Sequence, residues 1–389
     1  MAANSQRCAR FGVMVSQRFE AAGFGDDHPF TAERYRLAYE LLEELGLLEG
    51  AGVSRVDSPL ATEADLAAFH HADYLARLRE FSAAGAGRAD FRYGLGDVEN
   101  PVFPGMYEWA RRCCGGTLEA TRLVVDGGFR AVFNPAGGYH HAQPARASGF
   151  SYLNDAAIAI GILLRRGLRV AYLDLDAHHG DGVQQAFYAT DRVLTISLHE
   201  TGKDFYPQTG FADELGEGAG YGYAVNVPFL RHADDLVFEQ AFSRVVLPLL
   251  AAYRPDVLFT QVGVDGMRSD PLTRLEFTTR SFEFAARSLR ELELPWVVLG
   301  GGGYDPLNVA RGWALFWGTV LSAELSDRLP PAFAACARAL GWASGALRDP
   351  PHLAQPGDFC RAQQDLERVL AFLERRLAPI HGAWQGRGG

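Results

Sequence analysis

The chain has 389 residues, 48% of them hydrophobic, and a formal net charge of -10. That length suits one large α/β core or two modest ones, and the acidic balance argues against bulk nucleic-acid binding, which needs clustered Lys and Arg. Five cysteines, an odd number with no C-x-x-C pair, argue against a disulfide framework. They read as small buried apolar residues in a reducing cytoplasm. The start, MAANSQRCARFGVMV, lacks the apolar core of a secretory leader, and no run reaches the ~18 apolar residues of a membrane span, so no membrane partner is expected.

The first third is helical in pattern. AERYRLAYELLEELGLLEG (32–50) has apolar residues at helical spacing and a Gly stop. ATEADLAAFHHADYLARLREF (61–81) opens on a Thr-x-x-Asp capping signal and reads as one helix, with His70-His71 a structural pair on its solvent face. One or two more helices are expected over 100–128. From about residue 130 the pattern changes. Short apolar runs without polar alternation (FRAVFNPAGG, LRVAYLDLD, RVLTISLHE, DVLFTQVGVD, PWVVLGGGGY) read as strands covered on both faces. Helical patterns at 154–167, 232–253 and 278–294 lie between them, and 362–378 reads as a terminal amphipathic helix. This alternation predicts a mainly parallel sheet with helices on both faces. No composition shift marks a linker, so 1–389 is expected to be a single domain, with about 320–389 its C-terminal helical extension.

Each apolar run ends in concentrated chemistry: GGYHHAQPARASGF, DLDAHHGDG, SLHETG, GVDGMRSDPL and GGGGY. Ligands of open α/β sheets bind outside the carboxyl ends of the strands, so these loops can converge on one site. Asp176 and His178 are two apart, and in an extended segment such residues project to one side, where a carboxylate and an imidazole can share a metal. Asp265, also ending an apolar run, is the best third ligand. Three protein ligands leave a position open for catalysis. The set suits zinc, with ferrous iron, cobalt and manganese still open. His140-His141 reads as general acid/base chemistry beside the metal, and Asp174 and Asp181 supply one orienting acid per histidine. Tyr304, after Gly300 to Gly303, is placed to hydrogen-bond a developing oxyanion. Each motif alone also fits a strand-end cap, a packed loop residue or a glycine-rich turn. Their coincidence favours the site.

In order, GGYHHAQPARASGFSYLND, YLDLDAHHGDGVQQAFY, SLHETG, GVDGMRSDPL and LGGGGY resemble the metal-dependent histone deacetylase family, and HETGKDFYPQTGFADELGEGAGYGYAVNVPF and DPLTRLEFTT look closest to its bacterial acetoin-utilization branch. The resemblance runs from His28-Pro29 to about Trp317. It implies a single arginase-like α/β domain with a central, mainly parallel eight-stranded sheet. The implied activity is zinc-dependent hydrolysis of N6-acetyl-lysine at the foot of a narrow tunnel. Zinc would sit on Asp176, His178 and Asp265, with His141 as general base and acid, His140 as its electrostatic partner, Asp174 and Asp181 behind them, and Tyr304 polarising the acetyl carbonyl.

The same resemblance implies Phe150 and Tyr206 as tunnel walls, Gly149 as floor, and Gly302 among the substrate-binding residues. Tyr206 stands where the family usually has Phe, and Glu99 takes the place of a rim Asp. Leu272 occupies the gate position where polyamine deacetylases carry an acid. Arg34 matches a basic residue near a product exit channel. Potassium is implied at Asp174, Asp176, His178, Ser197 and Leu198, and again at Phe187, Thr190, Val193 and Tyr223. His179 is expected to point away and pack. The implied partner is an acetylated protein, by analogy a metabolic enzyme such as acetyl-CoA synthetase. The rival readings are a deacetylase of small acetylated amines or polyamines or of another acyl-lysine, an arginase-like ureohydrolase, and a binding protein without turnover.

Overall fold

A computed structural model of the chain describes residues 10–382 other than 22, 26 and 51. Cys8 and the first nine residues therefore lie outside the described residues. Eight strands form one sheet: β1 Arg10–Val15, β2 Val53–Asp57, β3 Phe129–Asn134, β4 Val170–Asp174, β5 Val193–Glu200, β6 Ala224–Phe229, β7 Val257–Gln261 and β8 Trp296–Leu299. Their order is β2-β1-β3-β8-β7-β4-β5-β6, and every pairing is parallel. The sheet is thus wholly rather than mainly parallel.

Alternate residues of each central strand enter opposite cores, as the period of two demands. Ala131, Phe133, Ala171, Leu173, Leu258, Trp296 and Val298 join one core. Phe129, Val132, Val170, Tyr172, Val257, Phe259, Val297 and Leu299 join the other. The first core holds Trp313 and Trp317, both fully buried, whose indole N–H groups donate to the carbonyls of Val262 and Leu47. Truncating either to Ala would cost about 3–5 kcal/mol.

All five strands expected from the apolar runs are present. The other three gave weaker patterns. β1 is interrupted by Gly12, where a side chain would press on the Phe129 ring and Val132. β2 is a half-exposed edge strand. β6 contains Asn226 and Pro228, and Pro is tolerated there because β6 is the other edge.

The expected helices form at Glu33–Glu44, Met106–Val125, Asp155–Arg165, Thr279–Arg290 and Pro356–His381. Asp235–Tyr253 is one continuous helical run with a π-helical turn at Phe242–Val246. Contrary to the sequence expectation, this run is long and apolar enough by composition to cross a membrane, and half of it is buried inside the protein. It packs against the helices Thr279–Arg290 and Pro356–His381. Beyond residue 320, Pro331–Ala339 is a further helix.

Three expectations fail locally. The single helix expected over 61–81 is two: Thr62 caps a four-residue helix, Glu63–Leu66, and a second helix spans Ala72–Ala84. The break sinks His70 into the interior, 3% exposed, where its Nε2 accepts the Asn154 N–H at 3.0 Å. His70 is therefore structural but not superficial. The four cysteines among the described residues are free, with Cys113 and Cys114 buried, yet Cys336 is only half-buried and Cys360 is exposed.

Burial pushes the His70 pKa down to about 3, against the pull of the Pro144 and Gln143 carbonyls. A histidine with a depressed folded pKa contributes stability that is intact above its unfolded value, ~6.5, and lost as pH falls below it. His70 should thus cost about 2 kcal/mol of stability between pH 7.5 and pH 5. Urea unfolding at the two pH values should show that loss shrinking by a similar amount in His70→Gln; an unchanged pH dependence would contradict it.

Candidate active site

The parallel register sets the carboxyl ends of the central strands level. Asn134 pairs with Leu299, Leu299 with Gln261, Gln261 with Asp174, and Asp174 with Ser197. The loops leaving this row carry the expected chemistry. Asp176 and His178 follow β4, Asp265 follows β7, His140 and His141 follow β3, and Tyr304 follows β8.

One ligand atom each from Asp176, His178 and Asp265 lies within 4.8 Å of the others. His178 Nδ1 is 2.8 Å from Asp265 Oδ2 and 3.1 Å from Asp176 Oδ1. The reason differs from the strand alternation expected. β4 ends at Asp174, and Asp176–His178 form a bend closed by the His178 N–H donating to Asp176 Oδ1 at 2.9 Å. The remaining carboxylate oxygens are held from behind. Asp176 Oδ2 accepts from Gln261 Nε2 (2.7 Å) and the Gly302 N–H (2.8 Å), and Asp265 Oδ1 from the Ala177 N–H (2.7 Å). Gly302 can only be glycine at that approach, since a Cβ would lie 2.5 Å from Asp265 Oδ2.

Both carboxylates are buried. Two unit charges under 5 Å apart repel by roughly 3–4 kcal/mol at an effective dielectric of 20. Burial, with the Asp176 charge adding to it, pushes Asp265 up to about 8. Burial pulls His178 down, but its bonds to Asp176 and Asp265 outweigh this and raise it to about 10. Both shifts draw protons towards the carboxylates, so the cluster favours positive charge. A buried O,N,O donor set whose outer oxygens are already fixed by N–H groups fits a divalent cation.

The histidine pair takes one acid each, as expected. His140 Nδ1 lies 2.8 Å from Asp174 Oδ2, and His141 Nδ1 lies 2.7 Å from Asp181 Oδ1. Their Nε2 atoms face each other at 3.0 Å. Burial lowers both, but the Asp174 and Asp176 charges reverse this for His140 and hold it at about 9. Burial and the neighbouring His140 charge keep His141 down at about 4, against its bond to Asp181. The network therefore assigns the shared proton to His140 and leaves His141 Nε2 as a lone-pair acceptor at neutral pH.

Two cavities meet at this point. One, about 280 Å³, is the mouth, lined among others by Glu99, Phe150, Asp204, Phe205, Tyr206 and Leu272. The other, only about 20 Å³, lies behind, bounded by Phe30, Tyr139, His140, Asp176 and the Gly301-Gly302 turn. His141, Gly149, Phe150 and Tyr304 border both. The Gly149 floor has φ 49°, and a Cβ there would strike the His141 ring. Glu99 Oε2 accepts the Gly149 N–H at 3.4 Å, so the longer rim acid turns towards the floor. Arg34 is buried behind the second cavity. It donates to the carbonyls of Gly303 (2.8 Å) and Gly301 and stacks over Phe30 and Trp313.

His179 does point away. It hydrogen-bonds Thr209 and Gln184. Of the residues implied for potassium, Asp174 and Ser197 are register partners beside Asp176, His178 and Leu198. Phe187, Thr190, Val193 and Tyr223 gather near the start of β5. There the Phe187 and Tyr223 carbonyls already accept from the N–H groups of Thr190 and Thr195.

Sequence reasoning missed three neighbours. Gln261, a polar residue inside an apolar run, was the most visible. Phe205 stacks on His178 with ring centroids 4.6 Å apart. Asp270 accepts the N–H groups of Tyr304 (2.7 Å) and Leu272 (3.0 Å), tying the loop after β7 to the loop after β8. Nothing in its spacing from Asp265 announced that link.

The histone deacetylase domain model matches residues 28–320, and the chain belongs to that family of deacetylase hydrolases. Within the family it is 37% identical over 329 residues to the acetoin utilization protein AcuC of Bacillus subtilis, covering 82% of this chain and 84% of that one. It is 36% identical over 310 residues to histone deacetylase RPD3 of Saccharomyces cerevisiae, covering 79% and 71%. The crystal structure of a histone deacetylase homologue from Aquifex aeolicus superposes with a TM-score of 0.82 at 29% identity, covering 94% of this chain and all of that one. A homologue solved in complex with SAHA gives 0.85 at the same identity, covering 94% and 99%.

If the triad binds the cation, Asp176→Ala and Asp265→Asn should each lose stoichiometric zinc, read by equilibrium dialysis and elemental analysis. Full metal retention in either variant would overturn the ligand set.

Proposed function

We propose that the protein hydrolyses N6-acetyl-lysine in proteins, with zinc held by Asp176, His178 and Asp265, releasing acetate and the free amine. The observation that carries this reading is the meeting of three chemistries where the two cavities join. They are a cation-seeking triad, a histidine kept free of its second proton, and a tyrosine whose hydroxyl makes no hydrogen bond within the described residues.

The cation, when bound, polarises an amide carbonyl and makes water more acidic. The lysine stem lies between Phe150 and Tyr206, where four methylenes meet aromatic walls. Tyr304 stays protonated, because burial pushes its pKa well above the ordinary phenol value. Its O–H can therefore donate to the oxygen on which charge develops. His141 Nε2, turning its lone pair from the His140 N–H to the attacking water, takes its proton, and Asp181 steadies the imidazolium that results. The same nitrogen then returns a proton to the leaving Nζ. His140, already positive, stabilises negative charge nearby. Acetate leaves by the rear cavity past Arg34. Potassium at the β4–β5 loop would stiffen the triad's backbone. Ferrous iron could replace zinc on the same donors.

The free cysteines among the described residues suit a reducing cytoplasm, and an acetylated metabolic enzyme such as acetyl-CoA synthetase suits the likeness to AcuC. A second reading, deacetylation of small acetylated amines, is favoured by the Glu99 and Asp204 carboxylates at the mouth, which suit an ammonium. Leu272 at the gate favours the peptide. A panel of acyl-lysine peptides and acetylpolyamines, run with zinc-loaded and chelated protein, separates the two. Activity on polyamines alone would reject the protein substrate. The ureohydrolase reading fits less well, since the triad is the one metal-ligand cluster found among the described residues.

Tyr304→Phe should lower kcat by about 100- to 1,000-fold if its hydroxyl holds the oxyanion. Steady-state kinetics on an acetyl-lysine peptide reads this directly, and near-normal turnover would remove Tyr304 from the reaction.

A further inference from the structure

The Tyr206 hydroxyl is already engaged. It lies 2.7 Å from Ser148 Oγ. That bond crosses from one wall of the mouth to the other. Ser148 and Ser151 exchange backbone hydrogen bonds of 3.1 and 2.8 Å, leaving Gly149 and Phe150 at the corners of a tight turn, both with positive φ (49° and 64°). A left-handed conformation is unfavourable for a residue such as Phe, so the turn persists only where its surroundings hold it. Ser148 is the base of that turn. Tyr206 sits on the loop after β5. That loop is fastened further along by His179 to Thr209 and by His199 to the Gly210 carbonyl, each at 2.8 Å. The Tyr206 side chain itself has the Ser148 bond as its one hydrogen bond among the described residues.

We propose that the Ser148–Tyr206 hydrogen bond is a gauge. It fixes the separation of the Phe150 and Tyr206 rings and so admits slim, unbranched acyl-lysines while rejecting branched ones. The proposal rests on the deacylase reading for the identity of the ligand, and it makes Ser148 and Tyr206 specificity-determining positioning residues rather than catalytic ones. The physical reason is steric. An acyl group must pass between the two rings to reach the triad, and an isobutyryl group is wider than the lysine stem or an acetyl group. Without the bond, the Tyr206 ring is held on this side only by its edge contact with the His141 ring, centroids 5.0 Å apart, which resists an outward swing less.

The test uses Tyr206→Phe, which keeps the ring, Ser148→Ala, and the double variant, with acetyl-lysine and isobutyryl-lysine peptides of one sequence. Each single variant should raise KM for the acetyl peptide about 3- to 10-fold with kcat within about twofold, the size expected for one lost hydrogen bond. Each should raise the isobutyryl-to-acetyl ratio of kcat/KM about tenfold. The double variant should do no more than either single one, since both remove the same bond. An unmoved ratio, or single effects that multiply, would overturn the gauge. Calorimetric binding of the same peptides to chelated protein gives a readout without turnover. Wild-type discrimination that disappears in both variants supports the gauge even if no acetate is released, an outcome that removes only the deacylase reading. Binding of neither peptide, without turnover, removes both.

Discussion

Two carboxylates buried at the edge of a parallel sheet are the constraint around which the site is built. Asp176 and Asp265 cannot both stay charged in a protein interior without help. The fold supplies it in layers: backbone N–H groups and Gln261 on the outer oxygens, His178 on the inner ones, and an imidazolium at His140 nearby. Each layer reduces the penalty and none removes it. What remains is a donor set that a divalent cation would fit. Gly302 belongs to the same logic, since close approach of its N–H to Asp176 needs a residue without a side chain.

The asymmetry between the two histidines follows from this charge. They are adjacent in sequence, equally buried and each bonded to one aspartate, yet they sit on opposite sides of neutrality. His140 also feels Asp176, 3.9 Å away, while His141 feels the positive charge of His140. In the proposed reaction, one would act as a fixed charge and the other as a proton acceptor. The division of labour is set by distance to the triad rather than by residue type.

Much of the site was legible in the sequence because its chemistry sits at the ends of apolar runs, where strands have to stop. The triad, the histidine–acid pairing and Tyr304 all fall there, and the central strands announced themselves by being apolar on both faces. What escaped notice lacked that contrast. β2 and β6 are edge strands with polar or proline positions, and β1 is broken by Gly12. The break before Ala72 was hidden because a capping signal at Thr62 and a helical periodicity looked like one helix, when His70 had to be drawn inwards to receive the Asn154 N–H. Asp270 and Phe205 were invisible for a different reason. Their roles depend on which loops meet across strands distant in sequence, and no local pattern encodes that meeting. The Ser148–Tyr206 contact is of the same kind: the sequence marked Tyr206 as a departure from the family, and only the fold shows what its hydroxyl touches.

The level row from Asn134 through Leu299, Gln261 and Asp174 to Ser197 also has a mechanical meaning. The site has no scaffold of its own. Its dimensional tolerance, of order half an ångström for a working metal centre, is inherited from the hydrogen-bonded ladder beneath it. A one-residue slip of β7 would turn Gln261 to the opposite face and carry Asp265 out of reach. A much smaller strain, from an overfilled pocket beside Trp313 or Phe259, would tilt the ligands while the protein stayed folded. In such a molecule the apolar core doubles as a measuring instrument, and its wear would register first as poor metal retention, well before any loss of melting temperature.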